Sequence, residues 1–222
     1  MPALPFPRYG AIMTDFDGLI SGYRRFRRDG WANSRARWTE LAEGQTPKVM
    51  VIACSDSRVD PTQIFDASPG EMFVVRNIAG LVPPFETGGG RHGVSAALEF
   101  AVTQLEVPEI VVLGHGACGG VSAALSQRFA NAEPGKGGFI AHWVDLLDNA
   151  RDEVIVEHGT GPEAAHALEL ACVRVSLANI RTFPGITERE AAGRLRLHGT
   201  HFAIADGILR LLDEATGRFV DA

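Results

Sequence analysis

Cysteine is scarce in this sequence of 222 residues, which contains only three. An odd and low count excludes the disulfide framework of a small secreted domain and favours a reducing compartment. Residues 1–12 carry three prolines and no apolar stretch of the kind that a secretory signal peptide contains. We therefore expect a cytoplasmic protein.

Long apolar runs and an excess of basic residues are also missing. No segment approaches the roughly 18 consecutive apolar residues of a membrane-spanning helix. The sequence holds 21 Lys and Arg against 27 Asp and Glu, a net charge of −6, whereas a nucleic-acid-binding protein more often has a basic surface. The basic cluster at residues 24–28 lies among aromatic residues and is interpreted as the solvated face of an amphipathic helix. We expect neither a membrane nor a nucleic acid as a partner.

Apolar residues are arranged in two different ways, at helical spacing in the N-terminal part and in short continuous runs after it. In residues 1–46 they return at spacings of three, four and seven, as in an amphipathic helix, and breaker residues follow at 44–47. Three short runs rich in β-branched residues then predict buried strands at 49–53, 72–75 and 109–113. Helices are predicted between and after these strands, at 61–67, 93–105, 119–130 and about 139–182, with a glycine-rich loop at 135–138.

Strands that alternate with helices indicate an α/β fold with a mainly parallel central β-sheet flanked by helices. Residues 198–205 and 207–212 are expected to add one last strand or a pair, and 213–217 a turn. The simplest organisation is a single domain over residues 1–222 with a helical N-terminal arm at 1–46. Because this arm has little local core to cover, we expect it to pack on a partner subunit.

Side chains that bind soft metals follow two of the predicted strands. Cys54 comes directly after the first strand, and His115 and Cys118 follow the third. The carboxyl ends of parallel strands share one sheet edge, so the three side chains meet if those strands are neighbours. Two thiolates and one imidazole suit Zn²⁺, and three ligands leave the fourth position open, as in catalytic sites. Taken singly, Cys54 is better explained as a buried core thiol, and so is Cys172 in its apolar helical context.

Asp56 and Arg58 lie two and four residues after Cys54, so in an extended loop all three side chains point to the same side. A carboxylate beside a metal accepts a hydrogen bond from its water, and a paired guanidinium keeps the carboxylate ionised and oriented. Such an acceptor matters here because two thiolates make zinc a weaker acid toward its water than three imidazoles do. The alternative interpretation of the pair is a loop salt bridge or a helix cap.

The segment from Gly114 to Gly119 also matches the dinucleotide-binding pattern G-x-G-x-x-G, with a strand before it and a helix after it. Two features weaken this match. The pattern normally opens the first βα unit rather than the third, and the acidic residue expected about 20 residues later is Glu133, which lies in a turn sequence. Nucleotide binding stays an alternative, and the same glycines are equally explained as room for a metal loop and a helix start.

Three motifs, in this order and spacing, resemble those of the β-class carbonic anhydrases and in particular their plant-like branch: Cys-Ser-Asp-Ser-Arg at 54–58, Phe-Val-Val-Arg-Asn at 73–77 and Gly-His-x-x-Cys-Gly-Gly at 114–120. The resemblance implies one Zn²⁺ per chain on Cys54, His115 and Cys118, with Asp56 and Arg58 as a catalytic pair. The implied reaction is the reversible hydration of carbon dioxide to bicarbonate and a proton, through attack by zinc-bound hydroxide.

The same resemblance implies substrate contacts from Gln45, Phe73 and Gly119, with Gln45 reaching the substrate from the neighbouring subunit. It also implies a homo-oligomer built from dimers, in which the N-terminal arm crosses to the partner. Relatives with these motifs also hydrolyse carbon disulfide or carbonyl sulfide, so both of these reactions stay open as alternatives.

The sequence departs from the family pattern at three positions. Gly116 stands where members commonly have Ser, and Phe100 where they often have Tyr, so two hydroxyl groups that affect hydrogen bonding or proton transfer are missing. Val51 stands three residues before the first cysteine, where the branch regulated by a non-catalytic bicarbonate site has Trp. We therefore predict no such regulation. For proton export the sequence singles out no histidine among the candidates His92, His198 and His201.

Overall fold

The computed structural model of the chain describes residues 15–88 and 90–222. The chain divides into two compact units, of which the first ends at Gln45 and the second begins at Thr46, and each is described by itself. Residues 1–14 of the predicted arm lie outside the described residues. Within the part of the chain that is described, none of the helices combines the length and the apolar composition that a bilayer crossing demands.

The described part of the first unit is helical, which confirms the prediction of a helical N-terminal region. Asp15 caps the first helix by accepting a hydrogen bond from the backbone N–H of Gly18 at 2.8 Å. None of these helices buries a side chain, and the apolar residues of the first are largely exposed. The elements are α1 (Phe16–Arg25), a π-helical turn (Phe26–Gly30), α2 (Trp31–Asn33) and α3 (Arg35–Glu43).

A six-stranded sheet forms the centre of the second unit. Its strands stand in the order β2-β1-β3-β4-β5-β6. β1 to β4 run parallel to one another, and β5 and β6 extend the sheet in antiparallel fashion. The predicted α/β fold with a mainly parallel sheet is thus confirmed. The strands are β1 (Val49–Cys54), β2 (Met72–Asn77), β3 (Glu109–His115), β4 (Arg196–Ala203), β5 (Ile208–Asp213) and β6 (Arg218–Asp221).

Helices flank this sheet, whose central strands bury side chains on both sides. Met50 and Ile52 of β1 pack in one apolar cluster with residues of the helices after β2 and before β4, whereas Val51 and Ala53 pack on the opposite face. The helices are α4 (Pro61–Ile64), α5 (Gly93–Thr103), α6 (Gly119–Ser126), α7 (Gly138–Val144), α8 (Asp148–His158), α9 (Pro162–Ile180) and α10 (Ile186–Ala191).

Several element boundaries differ from the sequence prediction. The helix predicted at 119–130 ends at Ser126, because Gln127 adopts a left-handed conformation with φ of 48°. The stretch predicted as helical at 139–182 is divided, since Gly159 has φ of 71° and Pro162 opens a new helix. The helices predicted at 61–67 and 93–105 begin as predicted but end earlier, at Ile64 and Thr103. The elements α10 and β6, of six and four residues, are too short for periodicity to reveal and were not predicted.

Candidate metal centre

β1 and β3 are hydrogen-bonded neighbours, so their carboxyl ends lie side by side. Cys54 is the last residue of β1 and His115 the last of β3. The chain then turns through Ala117, whose φ of 55° is left-handed, and Cys118 precedes α6 as its N-cap residue. The structure therefore brings the three predicted side chains together at one edge of the sheet, and all three are buried.

The distances between the three side chains fit one metal ion. Their ligand atoms all lie within 4.8 Å of one another, and the two sulfur atoms are 3.9 Å apart. Two sulfurs bound tetrahedrally to one Zn²⁺ at about 2.3 Å each lie roughly 3.8 Å apart. Within the described part of the chain this group includes no fourth His, Cys, Asp or Glu, which is the composition of a zinc site with one open position.

The hydrogen bonding of His115 selects the nitrogen that faces the sulfurs. Its Nδ1 donates to the carbonyl oxygen of Gly116 at 2.9 Å, which leaves Nε2 as the acceptor. Nε2 is buried and finds no hydrogen-bond partner among the described residues. A buried nitrogen left in this way is costly, and metal coordination satisfies it while the second nitrogen stays bonded to the backbone.

Electrostatics favour a thiolate in this group. The hydrogen bond from Cys118 lowers the pKa of the Cys54 thiol, although burial opposes the shift, and the same contact raises the pKa of Cys118. Burial lowers the pKa of His115, but the Cys54 sulfur and the Gly116 carbonyl outweigh it and raise that pKa, so protons compete with a metal for Nε2. A thiolate beside an imidazole favours Zn²⁺ over a hard cation.

Arg58 holds Asp56 through a bidentate pair. The Arg58 Nε donates to Oδ1 of Asp56 at 2.9 Å, its Nη2 donates to Oδ2 at 2.6 Å, and its backbone N–H donates to Oδ1 at 3.0 Å. These hydrogen bonds hold the pKa of Asp56 far below its usual range. Because Nη2 also donates to the carbonyl of Ala117 at 2.9 Å, Arg58 joins the loop after β1 to the loop between His115 and Cys118.

A cleft of about 430 Å³ opens beside these residues. Glycine at position 119 leaves space in it, since a Cβ there would meet nothing within 4 Å. At Gly120 there is no space for a side chain, because a Cβ would lie 2.8 Å from Cγ2 of Ile78 and 3.0 Å from Cβ of Ala79. The cleft is lined by Cys54, Ser55, Asp56, Ile78, Gly119, Gly120, Ser122, Ala123, Arg128, Phe129 and Ile140.

Known proteins resemble this chain over most of its length. The profile of the protein family described as "Carbonic anhydrase" matches residues 49–209. Beta carbonic anhydrase 3 of Arabidopsis thaliana is 34% identical over 196 residues, which cover 87% of this chain and 75% of the relative. This chain belongs to the β-carbonic anhydrase family. Membership makes it an enzyme of the carbonic anhydrase class.

Further relatives agree with this assignment. A carbonic anhydrase of Pseudomonas aeruginosa is 39% identical over 203 residues, which cover 91% of this chain and 90% of the relative. The β-carbonic anhydrase CcaA superposes with a TM-score of 0.85 at 31% identity, over 93% of this chain and 91% of that one. A solved structure described among two tetrameric β-carbonic anhydrases of Sordaria macrospora has a TM-score of 0.75 at 29% identity, over 89% and 96% of the two chains.

These comparisons support neither alternative that the sequence left open. The relatives named above are carbonic anhydrases, and none of their names points to a nucleotide or to a sulfur-containing substrate. The first glycine of the nucleotide-like pattern also has a structural reason. A Cβ at Gly114 would lie 2.6 Å from Cγ2 of Val173, so glycine is what lets α9 of the β-carbonic anhydrase fold approach β3 closely.

Phe73, which the resemblance placed at the substrate, does not line the cleft beside Cys54. Phe73 sits four residues before the end of β2 and stacks on Phe100, with ring centroids 5.9 Å apart. Gln45 belongs to the N-terminal unit, and its substrate contact stays a prediction.

Gly116 stands where members of the family commonly have Ser. The structure leaves room for a serine there, since a Cβ at this position would have its nearest neighbours 3.9 Å away.

Arg76 is a site residue to which sequence reasoning gave no role. Its Nε donates to the carbonyl of Cys54 at 2.9 Å, and its Nη2 donates to the carbonyls of Asp56 at 2.7 Å and Val59 at 3.2 Å. Its Nη1 pairs with Oδ2 of Asp60 at 3.1 Å. Arg76 therefore fixes the backbone that carries Cys54 and Asp56. The available signal was a charged residue at the end of a β-branched strand, within the second motif.

Glu169 is a second supporting residue that the sequence did not reveal. Its Oε1 accepts a hydrogen bond from the backbone N–H of Cys118 at 3.2 Å, and its Oε2 lies 3.3 Å from Nε2 of His201. The only signal was an acidic residue on an apolar stretch of a predicted helix. Of the proposed proton-shuttle histidines, His201 is buried in this contact, His198 pairs with Glu109 at 2.6 Å, and His92 lies 3.2 Å from the Gly88 carbonyl.

Proposed function

We propose that this chain catalyses the reversible hydration of carbon dioxide to bicarbonate and a proton, with one Zn²⁺ held by Cys54 Sγ, His115 Nε2 and Cys118 Sγ. The proposal rests above all on His115, whose Nε2 is buried and finds no partner among the described residues, and which offers a ring nitrogen within 4.8 Å of both sulfurs. A catalytic zinc keeps a position free beside three protein ligands. Cys54 also lines the cleft, so a small substrate can approach the group from solvent.

A zinc ion at this site supplies Lewis acidity, which lowers the pKa of a water molecule and makes hydroxide available near neutral pH. The role of Asp56 is to accept a hydrogen bond from that nucleophile and to orient it. Oδ1 of Asp56 already accepts two hydrogen bonds from Arg58, whereas Oδ2 accepts one, so Oδ2 keeps a free acceptor site. Because Arg58 holds the pKa of Asp56 so low, Asp56 acts as an acceptor and does not take the proton.

The lining of the cleft suits both sides of the reaction. Carbon dioxide is small and has no net dipole, and the apolar side chains of Ile78, Phe129 and Ile140 offer it a place without competing hydrogen bonds. Bicarbonate is an anion, and the backbone N–H of Gly119 in the first turn of α6 together with the Arg128 guanidinium favours a negative charge there. We assign Gly119 to substrate binding on this basis.

We further propose that residues 1–222 act as one domain whose arm, residues 1–46, packs on a partner subunit in a homo-oligomer built from dimers. The described arm buries no side chain, and Phe16, Leu19 and Tyr23 are 71%, 55% and 58% exposed. The Sordaria macrospora relatives are described as tetrameric. In this assembly Gln45 reaches the partner's substrate, and Phe73 is proposed as an aromatic residue of the substrate pocket. The free cysteines Cys54, Cys118 and Cys172 support a reducing, cytoplasmic location.

Metal analysis combined with stopped-flow carbon dioxide hydration tests the proposed reaction. The wild-type protein is expected to carry one zinc per chain and to hydrate carbon dioxide. Cys118→Ser should lose most of its zinc and its activity, whereas Asp56→Ala should keep the zinc and lose the activity. Cys172→Ala is the matched control, because Cys172 is buried, its Sγ donates to the Ala79 carbonyl at 3.5 Å, and it lies outside the ligand group. This control should retain both properties.

Two results would contradict the proposal. The first is a protein that contains no zinc and binds NAD, which would favour the nucleotide-binding interpretation. The second is a zinc-loaded protein that hydrolyses carbon disulfide or carbonyl sulfide but does not hydrate carbon dioxide. Both sulfur compounds are therefore assayed in parallel with carbon dioxide on the same preparation.

A further inference from the structure

A second group of potential metal ligands lies on the far side of Glu169 from Cys118. His166 and Glu169 stand three residues apart on α9, and His201 lies on β4. Each of the three offers a ligand atom within 4.8 Å of the other two. Oε2 of Glu169 is 3.3 Å from Nε2 of His201 and 3.6 Å from Nδ1 of His166. The two imidazole rings meet nearly edge to face, with centroids 5.4 Å apart.

These distances match those of ligands around a single ion. Nitrogen and oxygen atoms bound tetrahedrally to Zn²⁺ at about 2.0–2.2 Å lie roughly 3.3–3.6 Å from one another. Two imidazoles and one carboxylate are also a ligand set that binds zinc and other divalent transition metals. The two distances from Oε2 of Glu169, 3.3 Å and 3.6 Å, therefore already fit a shared ion.

One of the two carboxylate oxygens of Glu169 faces the histidines, and the other binds the backbone of Cys118. Its Oε1 accepts the hydrogen bond from the Cys118 backbone N–H, whereas Oε2 faces the two histidines. Binding of a cation at Oε2 therefore leaves the contact with Cys118 in place. The carboxylate of Glu169 is the anionic ligand of the group.

His201 is the buried histidine of the group, with its side chain 1% exposed. Its Nε2 contacts the same Glu169 oxygen that His166 approaches.

The group is accessible from solvent through a cavity separate from the cleft beside Cys54. His166 and His201 both line this cavity, whose volume is about 630 Å³. Two arginines also line it, but Arg58 is paired with Asp56 and Arg210 with Asp221. Their charges are therefore already balanced, and a hydrated cation can reach the histidines and keep water on its remaining positions.

We propose that His166, Glu169 and His201 form a second metal site, which binds a divalent transition metal such as Zn²⁺ or Co²⁺ separately from the Cys54, His115 and Cys118 group. Its single anionic ligand makes it the weaker of the two, because the other group has two thiols that bind as thiolates. The site is distinct from the group that would hold the catalytic zinc, because none of its three side chains belongs to that group, although Glu169 adjoins it through the backbone N–H of Cys118.

Titration of the metal-loaded full-length protein with Co²⁺ tests this site. The metal content is measured first, so that the state of the cysteine group is known before any cobalt is added. Calorimetry is expected to show one further equivalent of Co²⁺ per chain. The visible spectrum should show cobalt d–d bands without the near-ultraviolet sulfur-to-cobalt bands that appear when cobalt enters a cysteine site.

His166→Ala is the diagnostic variant, because His166 is 54% exposed and does not contact Cys118. Loss of one of three ligands should weaken the added binding event at least roughly tenfold. The matched control is His142→Ala, another exposed histidine, which pairs with the carboxylate of Asp145 at 3.1 Å and belongs to neither ligand group. It should bind Co²⁺ as the wild type does. The proposal is overturned if no further equivalent binds, if His166→Ala binds unchanged, or if sulfur-to-cobalt bands accompany the binding.

Discussion

Two adjacent glycines at the start of α6 should respond in opposite ways to the same substitution. In Gly120→Ala the new Cβ would lie 2.8 Å from Cγ2 of Ile78 and 3.0 Å from Cβ of Ala79. Ile78 is 43% exposed and can move, but Ala79 is buried with φ of 65° and has no rotamer to change. Such overpacking costs about 1–3 kcal/mol, which for a chain of this size lowers the melting temperature by roughly 2–12 °C.

In Gly119→Ala the new Cβ meets nothing within 4 Å. The substitution restricts the unfolded chain, so it should leave the folded state unchanged in stability or more stable by about 0.4–1 kcal/mol. Its methyl group occupies the cleft beside Cys54, so kcat/KM for carbon dioxide should fall although the fold is intact. Thermal unfolding at one fixed chain concentration and stopped-flow hydration measure the two effects. Equal destabilisation of both variants, or a Gly120→Ala protein as stable as wild type, would refute this reasoning.

Three further predictions follow from the site. Arg58→Ala should lower kcat by roughly 10–100-fold at every pH from 6 to 9, because Asp56, with an ordinary pKa of about 3.9, stays ionised and loses only its orientation. The control Arg28→Ala removes an equally bidentate but exposed pair with Asp29 and should leave kcat unchanged. A rate that recovers at high pH would argue against this account. Because Val51 occupies the position of the regulatory tryptophan, activity should decline gradually with falling pH, and a steep, cooperative decline that depends on bicarbonate would contradict the prediction. Arg76→Ala should lower the free energy of unfolding by about 3 kcal/mol in urea titration, because it leaves the carbonyls of Cys54 and Asp56 without their charged donor. A decrease of less than a tenth of that value would show that the loop after β1 keeps its conformation without Arg76.

The sequence predicted the fold class and the meeting of Cys54, His115 and Cys118 because these depend on local signals. β-branched runs identify strands, and residues that follow parallel strands lie at one edge. The one condition left open was that the first and third strands are neighbours, and the sheet order satisfies it. The pairing of Asp56 with Arg58 was equally predictable, since their spacing of two in one loop places both side chains on the same side.

The supporting residues were not predictable in this way. Arg76 and Glu169 bind the backbone of Cys54 and Cys118 across 22 and 51 residues of sequence, and no periodicity encodes contacts over such separations. The same holds for the glycines: their positions were visible, but only the packed structure shows that Gly120 is required by its contact with Ala79 and that Gly119 leaves the cleft open.

The sequence by itself thus determined which residues have the chemistry to bind a metal and which strands carry them, because both follow from residue type and short-range order. Only the tertiary structure decided which side chains support them and that His166, Glu169 and His201 form a second group. Those three residues lie on a helix and a strand that become neighbours only when α9 packs against β4, which depends on the small size of Gly199 beside Val173 and Leu177. Close packing between distant segments, rather than any local pattern, brings them together.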